Sequence, residues 1–296
     1  MNIKKGISES FRYGTAVTKL IYINLAVFLL VNIAYIVCRL MDFDDHFVLQ
    51  YTALPADFGQ LLYRPWTLVS YMFVHKGFLH VLFNVLNLYW FGRLFLMYFS
   101  QKQLTGLYLL GGLSGGVFYM LMYNIFPYFQ GVLHSSLLFG ASASMLAVMM
   151  GVAAYAPEMR LQMLFIGEVR LKFIAAFVFF LSLLSVVGEN AGGNIAHLGG
   201  LAMGFFFALQ FKKGKDITRG LNRVVDWVVD FATNLFRRKP KMKVVRGGRP
   251  MNDHDWNAHK KQQTQELDAI LDKIKQSGYD KLSAEEKQKL FEHSGK

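Results

Sequence analysis

The chain places hydroxyl, imidazole and amide side chains inside runs that otherwise have no use for polar groups. "LLFGASASMLAVMM", residues 137–150, carries Ser142 and Ser144 framed by Gly140, Ala141 and Ala143. "GNIAHLGG" contributes His197, and "HVLFN" contributes His80 and Asn84. Serine beside histidine is the smallest arrangement in which an imidazole takes the hydroxyl proton as attack begins. His80 and Asn84 are four residues apart, hence on one helix face, and both can donate toward a developing oxyanion. Each residue also has a plainer reading. A serine among Gly and Ala packs and bonds its own i−4 carbonyl, and an asparagine in an apolar helix acts as interhelical glue. A histidine there is harder to dismiss, because ionisable groups inside a bilayer are costly and default to function.

The elements that must position these residues are read from hydropathy. The 296-residue chain is 53% hydrophobic, with 27 Phe and 14 Met. Six runs approach the roughly 20 apolar residues that cross a bilayer: Lys19–Cys38, Phe78–Phe99, Leu104–Phe126, Leu137–Ala156, Leu171–Gly188 and Asn194–Phe211. Basic residues collect before the first run and around the second, fourth and sixth turn-arounds, whereas the loops at 127–136 and 189–193 contain none. Basic loops stay in the cytoplasm, so both termini are expected there. The even-numbered runs then share a direction, which brings His80, Asn84, Ser142 and His197 to similar depth. Ser142 is expected five residues in, roughly 8 Å below the outer surface. Ser144 falls about 200° further round the same helix and faces elsewhere.

No run contains Asp or Glu, so a Ser–His dyad is the most these residues support. The same absence removes an aspartyl protease and disfavours an ion-coupled transporter, and HExxH is missing. His75, His80, His134 and His197 lack metal-ligand spacing, so neither metal nor cofactor is expected. Cys38 is the single cysteine and allows no internal disulfide. The first run has no cleavage site after it and reads as a retained signal anchor. In the third, "GGLSGG" offers Gly112 and Gly116 for close approach by a neighbouring helix.

Four segments follow: a lead over 1–18, the six-span domain over 19–211, a basic amphipathic segment over 212–250 and a helical hairpin over 251–296. In the third, Ile217, Leu221, Val224, Val228, Phe231 and Leu235 recur at helical spacing and suit a helix on the inner leaflet. "RRKPKMKVVRGGR", 237–249, has no acid and suits anionic lipid. The net charge of +12 therefore points to a membrane surface before nucleic acid, which is not an expected partner. The hairpin, with a capping box at Ser283 and Glu286, reads as a docking appendix for an unknown partner.

"HVLFN", "GASAS" and "AHLGGLAMG", in this order on the second, fourth and sixth runs, resemble the rhomboid intramembrane serine proteases, over about residues 14–211. The resemblance implies an all-α membrane protein, a six-transmembrane-helix bundle with a small helical cytoplasmic tail. It implies an endopeptidase that cleaves transmembrane protein substrates within or beside their spans. The family's GxS motif falls on Gly140, Ala141 and Ser142, its histidine on His197, and its oxyanion pair on His80 and Asn84. Its packing glycines fall on Gly200 and Gly204, and its first-loop tryptophan on Trp66. The tail resembles an appendix carried by rhomboids of some Bacteroidetes, which implies a bacterial inner membrane. Three positions depart from the pattern: Ala143 for Gly, Leu146 for an aromatic, and Thr67 for Arg, with Arg64 nearby. A rhomboid-like protein that binds clients without cleaving them, or an unrelated carrier or scaffold, are the alternatives.

Overall fold

The computed structural model describes residues 9–11, 13–44, 46–163, 167–236 and 252–294. The basic run 237–249 and residues 1–8 lie outside the described residues. Each apolar run is helical over most of its length. In chain order the helices are α1 (Ala16–Leu40), α2 (His46–Thr52), α3 (Phe58–Tyr63), α4 (Thr67–Ser70), α5 (Phe78–Phe95), α6 (Gln101–Ile125), α7 (Ser142–Tyr155), α8 (Leu171–Leu184), α9 (Ala191–Lys212) and α10 (Arg219–Phe236). Two-residue strands β1 (Leu54–Pro55) and β2 (Leu137–Leu138) pair antiparallel. Strands β3 (Arg160–Met163) and β4 (Gly167–Arg170) form a hairpin between α7 and α8.

Three of these helices, α1, α6 and α9, are long and apolar enough to cross a bilayer, and α5 makes a fourth with the segment Thr67–Phe73, from which it is bent by 91°. The fourth and fifth apolar runs are shorter as helices than as sequence. Each has 14 helical residues, about 21 Å of rise against the roughly 30 Å of a hydrocarbon core. The fourth run loses its first five residues because Leu137–Leu138 is strand and Gly140 has φ +124°, a conformation that only glycine adopts readily.

The packing centre is a three-helix contact made by residues with little or no side chain. A methyl on Gly200 would overlap the Ala143 carbonyl, and one on Gly204 the Ala147 carbonyl. Helix α9 therefore lies with its backbone directly on α7. From the other side, a methyl on Gly115 of α6 would come within 2.7 Å of Ala143 Cβ and 2.8 Å of the Ala196 carbonyl oxygen. Gly111 meets the Ala147 methyl in the same way. Such close backbones gain dispersion contacts that lipid cannot match. Gly112 and Gly116, singled out above, serve another neighbour: Gly112 lies under Met72 and Ser144, and Gly116 under Leu54 and Tyr71.

The connection from α1 to α5 is a folded structure in its own right. Three successive carbonyls at the end of α2 are each taken by a side chain: Gln50 O by Arg64, Tyr51 O by Trp66 Nε1 at 2.9 Å, and Thr52 O by Ser70 Oγ at 2.8 Å. These are the carbonyls that a helix C-terminus leaves unpaired. Thr67 is buried and donates to Arg64 O at 2.6 Å. Arg64 thus supplies the guanidinium, from two residues before Trp66. Asp57 caps α3 through the Gly59 amide and pairs with His134 at 2.7 Å. At the opposite end of the bundle, Lys212 of α9 donates to Ala154 O of α7 at 2.8 Å.

The described residues 252–294 belong to a separate unit. Its helices α11 (Asp253–Ser277) and α12 (Ala284–Ser294) are divided by Gly278 at φ +81°. The Ser283–Glu286 capping box has both bonds, at 2.7 and 3.3 Å. Lys273–Glu286 and Lys289–Glu266 ion pairs join the two helices.

Two outcomes follow from this packing. Gly200→Val and Gly204→Val should each lower the unfolding temperature in detergent, at a cost of about 1–3 kcal/mol or more for forced separation. Gly131→Ala, where a methyl meets nothing within 4 Å, should leave it unchanged. The second outcome concerns Asp57, whose carboxyl is held below its ordinary value by the Gly59 amide, with a further contribution from His134, against a smaller opposing effect of burial. A depressed carboxyl stabilises above its unfolded value, about 3.9, and that stability is lost as pH falls through the lower folded value. The unfolding-temperature gap between the wild type and Asp57→Asn should be present at neutral pH and close in acid.

Candidate active site

Ser142 is the first residue of α7. Its position is set by a short loop whose amides are individually held. The Gly140 N–H donates to Tyr71 O at 2.9 Å, and the Ala141 N–H donates to His75 Nε2 at 3.3 Å. Both acceptors belong to the bend that precedes α5. That bend is itself anchored: Tyr71 donates to Gly112 O at 2.5 Å, and Tyr108 donates to Met72 O at 3.2 Å. The buried Asn24 of α1 donates to Tyr108 Oη at 3.1 Å.

His197 lies in the second turn of α9, and its Nε2 is 2.8 Å from Ser142 Oγ. The Gly200–Ala143 contact is one turn further along, so the backbone approach described above sets this distance. His80 completes the cluster. A methyl on Gly140 would sit 2.9 Å from His80 Nε2 and 3.9 Å from Ser142 Oγ. Gly140 is therefore required twice, for its φ and for the space that the imidazole and hydroxyl share.

Asn84 is on the same face of α5 as His80 and is buried. Its Nδ2 donates to His80 O at 2.8 Å, and its Oδ1 has no hydrogen-bond partner. The amide thus presents an acceptor, and it must turn to donate to an oxyanion. Ser142, His197, His80 and Asn84 all line one cavity of about 580 Å³, with Met145 and Phe139 among its apolar walls. Glu189 is the one carboxylate among its described lining residues.

Ser144 is fully buried and points away, its Oγ against Gly112 of α6 and without a hydrogen-bond partner. The Ala143 methyl faces Gly115, on the α6 side. Leu146 is buried in the core and Met145 takes the place on the cavity wall. His134 is elsewhere, paired with Asp57.

Two features were not anticipated from sequence. Ser142 opens its helix, so the partial positive charge of the α7 N-terminus lies at the hydroxyl. His75 is fully buried, with Nδ1 3.1 Å from Phe73 O and Nε2 accepting from Ala141, and its ring meets His80 edge-on at 5.0 Å. The only signal in sequence was the place of His75 five residues before His80, ahead of Gly77, which precedes the first residue of α5.

A family model described as the Rhomboid domain matches residues 63–213, just over half of the chain. A second, described as a family of unknown function (DUF6576), matches residues 252–296. RHOMBOID-like protein 12, mitochondrial, of Arabidopsis thaliana is 29% identical over 161 residues, covering 51% of this chain and 48% of the relative. The chain thus spans about half the length of that curated relative. With its apolar helices and the matched domain, the chain belongs to the rhomboid family of intramembrane proteins.

Proposed function

We propose that this chain is a serine endopeptidase that cleaves peptide bonds within or beside the transmembrane segments of other membrane proteins. The observation that carries the reading is the 2.8 Å separation of Ser142 Oγ and His197 Nε2 at the wall of a cavity that could take an extended peptide. Hydrogen-bond distance is the condition for the hydroxyl proton to pass to the imidazole.

In this scheme Ser142 Oγ adds to the scissile carbonyl while its proton moves to His197 Nε2. The oxyanion forms beside the α7 N-terminus, with His80 as a side-chain donor and Asn84 as a second once its amide has turned. Collapse breaks the C–N bond, and His197 returns the proton to the leaving amine. Water then attacks the acyl-enzyme with His197 again as base, releasing the acid and restoring Ser142. The substrate helix must unwind locally, because a helical amide is already bonded and shielded.

Hydropathy supports six crossings and the placement of Lys and Arg supports cytoplasmic termini; the resemblance of the tail to that of bacterial rhomboids supports the inner membrane as the location. The client-binding alternative rested on Ala143 and Leu146. The first directs its methyl toward Gly115 and the second is a core residue, so neither obstructs the cavity.

A fluorophosphonate probe should label the wild type and Ser144→Ala, and fail to label Ser142→Ala. On one model substrate Ser142→Ala and His197→Ala should each abolish cleavage with the fold retained. His80→Ala should lower turnover by on the order of 10²–10³. Labelling or cleavage that survives Ser142→Ala would sink the serine-protease reading. His75→Ala should lower both turnover and unfolding temperature, since a buried Ala141 N–H without an acceptor costs about 1–3 kcal/mol. His75→Gln, whose amide can replace both bonds, should recover part of each.

A further inference from the structure

Helix α10 follows α9 after a six-residue connection that starts with Lys213 and ends with Thr218. Its faces are sharply divided. Thr218, Asn222 and Asp226 recur every four residues and are all engaged by the first turns of α6. Asn222 Nδ2 donates to Lys102 O at 3.0 Å, and Asp226 pairs with Lys102 Nζ at 2.7 Å. A methyl on Gly106 would lie 2.6 Å from Thr218 Cβ and 2.9 Å from the Asn222 amide. Asp216, in the connection, accepts from Thr218 and from Gln103 of α6. Burial raises its carboxyl, but these bonds outweigh it and hold the group below its ordinary value.

With the polar face held by α6, the opposite face is directed away from it. Val224, Trp227, Val228 and Phe231 each remain half or more exposed, and the Trp227 and Phe231 rings stack at 5.8 Å. A soluble protein rarely leaves such a stripe in water. Two further observations identify what covers it. The helix starts beside the end of a membrane-crossing helix, where a bilayer surface must lie. Lys213, Lys215, Arg219 and Arg223 collect at the same end, as expected next to anionic headgroups.

We infer that α10 is an in-plane membrane anchor, its Val224–Trp227–Val228–Phe231 face inserted among the headgroup-proximal acyl chains of an anionic leaflet. The proposed orientation makes this the inner leaflet. Lys102 and Gly106 fix the roll of the helix, so the anchor is built onto α6 as a rigid extension. The inference is independent of whether the chain cleaves anything.

The test is a full-length chain in which Trp66, Trp90 and Trp256 are replaced by Phe, leaving Trp227 as the sole tryptophan. It is reconstituted in phosphatidylglycerol-containing vesicles carrying bromine on the acyl chains. Bromine near the glycerol end should quench Trp227 emission by about half or more, and bromine near the bilayer centre should quench less. Aqueous iodide should have little effect. Strong iodide quenching would place the face in water and overturn the inference. Indifference to both quenchers would place it against protein, a second copy or the C-terminal unit, and overturn it equally. If the triple replacement does not fold, Val228→Cys in a Cys38→Ser chain, labelled with an environment-sensitive fluorophore, gives the same readout.

Discussion

The backbone contact between α7 and α9 is the constraint on which the rest of this molecule depends. Gly200 against Ala143 and Gly204 against Ala147 bring two helix axes closer than side chains would allow. One turn away, the same approach leaves Ser142 and His197 at 2.8 Å. Among the described residues no carboxylate hydrogen-bonds the histidine, so its placement comes from the helix that carries it. In lipid the packing cannot lean on a hydrophobic gradient. Shape therefore does what charge does in a triad.

A second support comes from below the nucleophile. The 91° bend before α5 drives Tyr71–His75 into the bundle, where Tyr71 O and His75 Nε2 take the Gly140 and Ala141 amides. The bend is held by Gly112, Tyr108 and, through it, Asn24 of the first helix. Helices α1, α5 and α6 thus converge on one three-residue loop. The polar atoms involved are buried and mutually satisfied, the condition under which such networks rigidify a core.

Much of this was legible in the sequence. The apolar runs, their order and the four polar residues at shared depth follow from hydropathy and spacing, because membrane segments must satisfy their backbone internally. The divided faces of α10 follow from its periodicity, and the Ser283 capping box from its residues. What the sequence did not reveal was where backbone leaves the helix. Leu137 and Leu138 are as apolar as any helical residue, and only pairing with Leu54 and Pro55 makes them strand. Nor could periodicity tell Gly111 and Gly115 from Gly112 and Gly116, since adjacent glycines face different neighbours and the neighbours are known only from the fold. His75 was weighed only as a metal ligand, because its acceptor role depends on a loop more than sixty positions away.

The close approach also has an evolutionary side. At positions 143, 147, 200 and 204 each residue is the boundary of another, so none can gain a γ-atom without forcing the two helices apart. Positions 143 and 200 are already at or next to the smallest side chain that exists. Glycine alone fits at 200 and 204, and the Ala143 methyl is accommodated only while position 115 remains glycine.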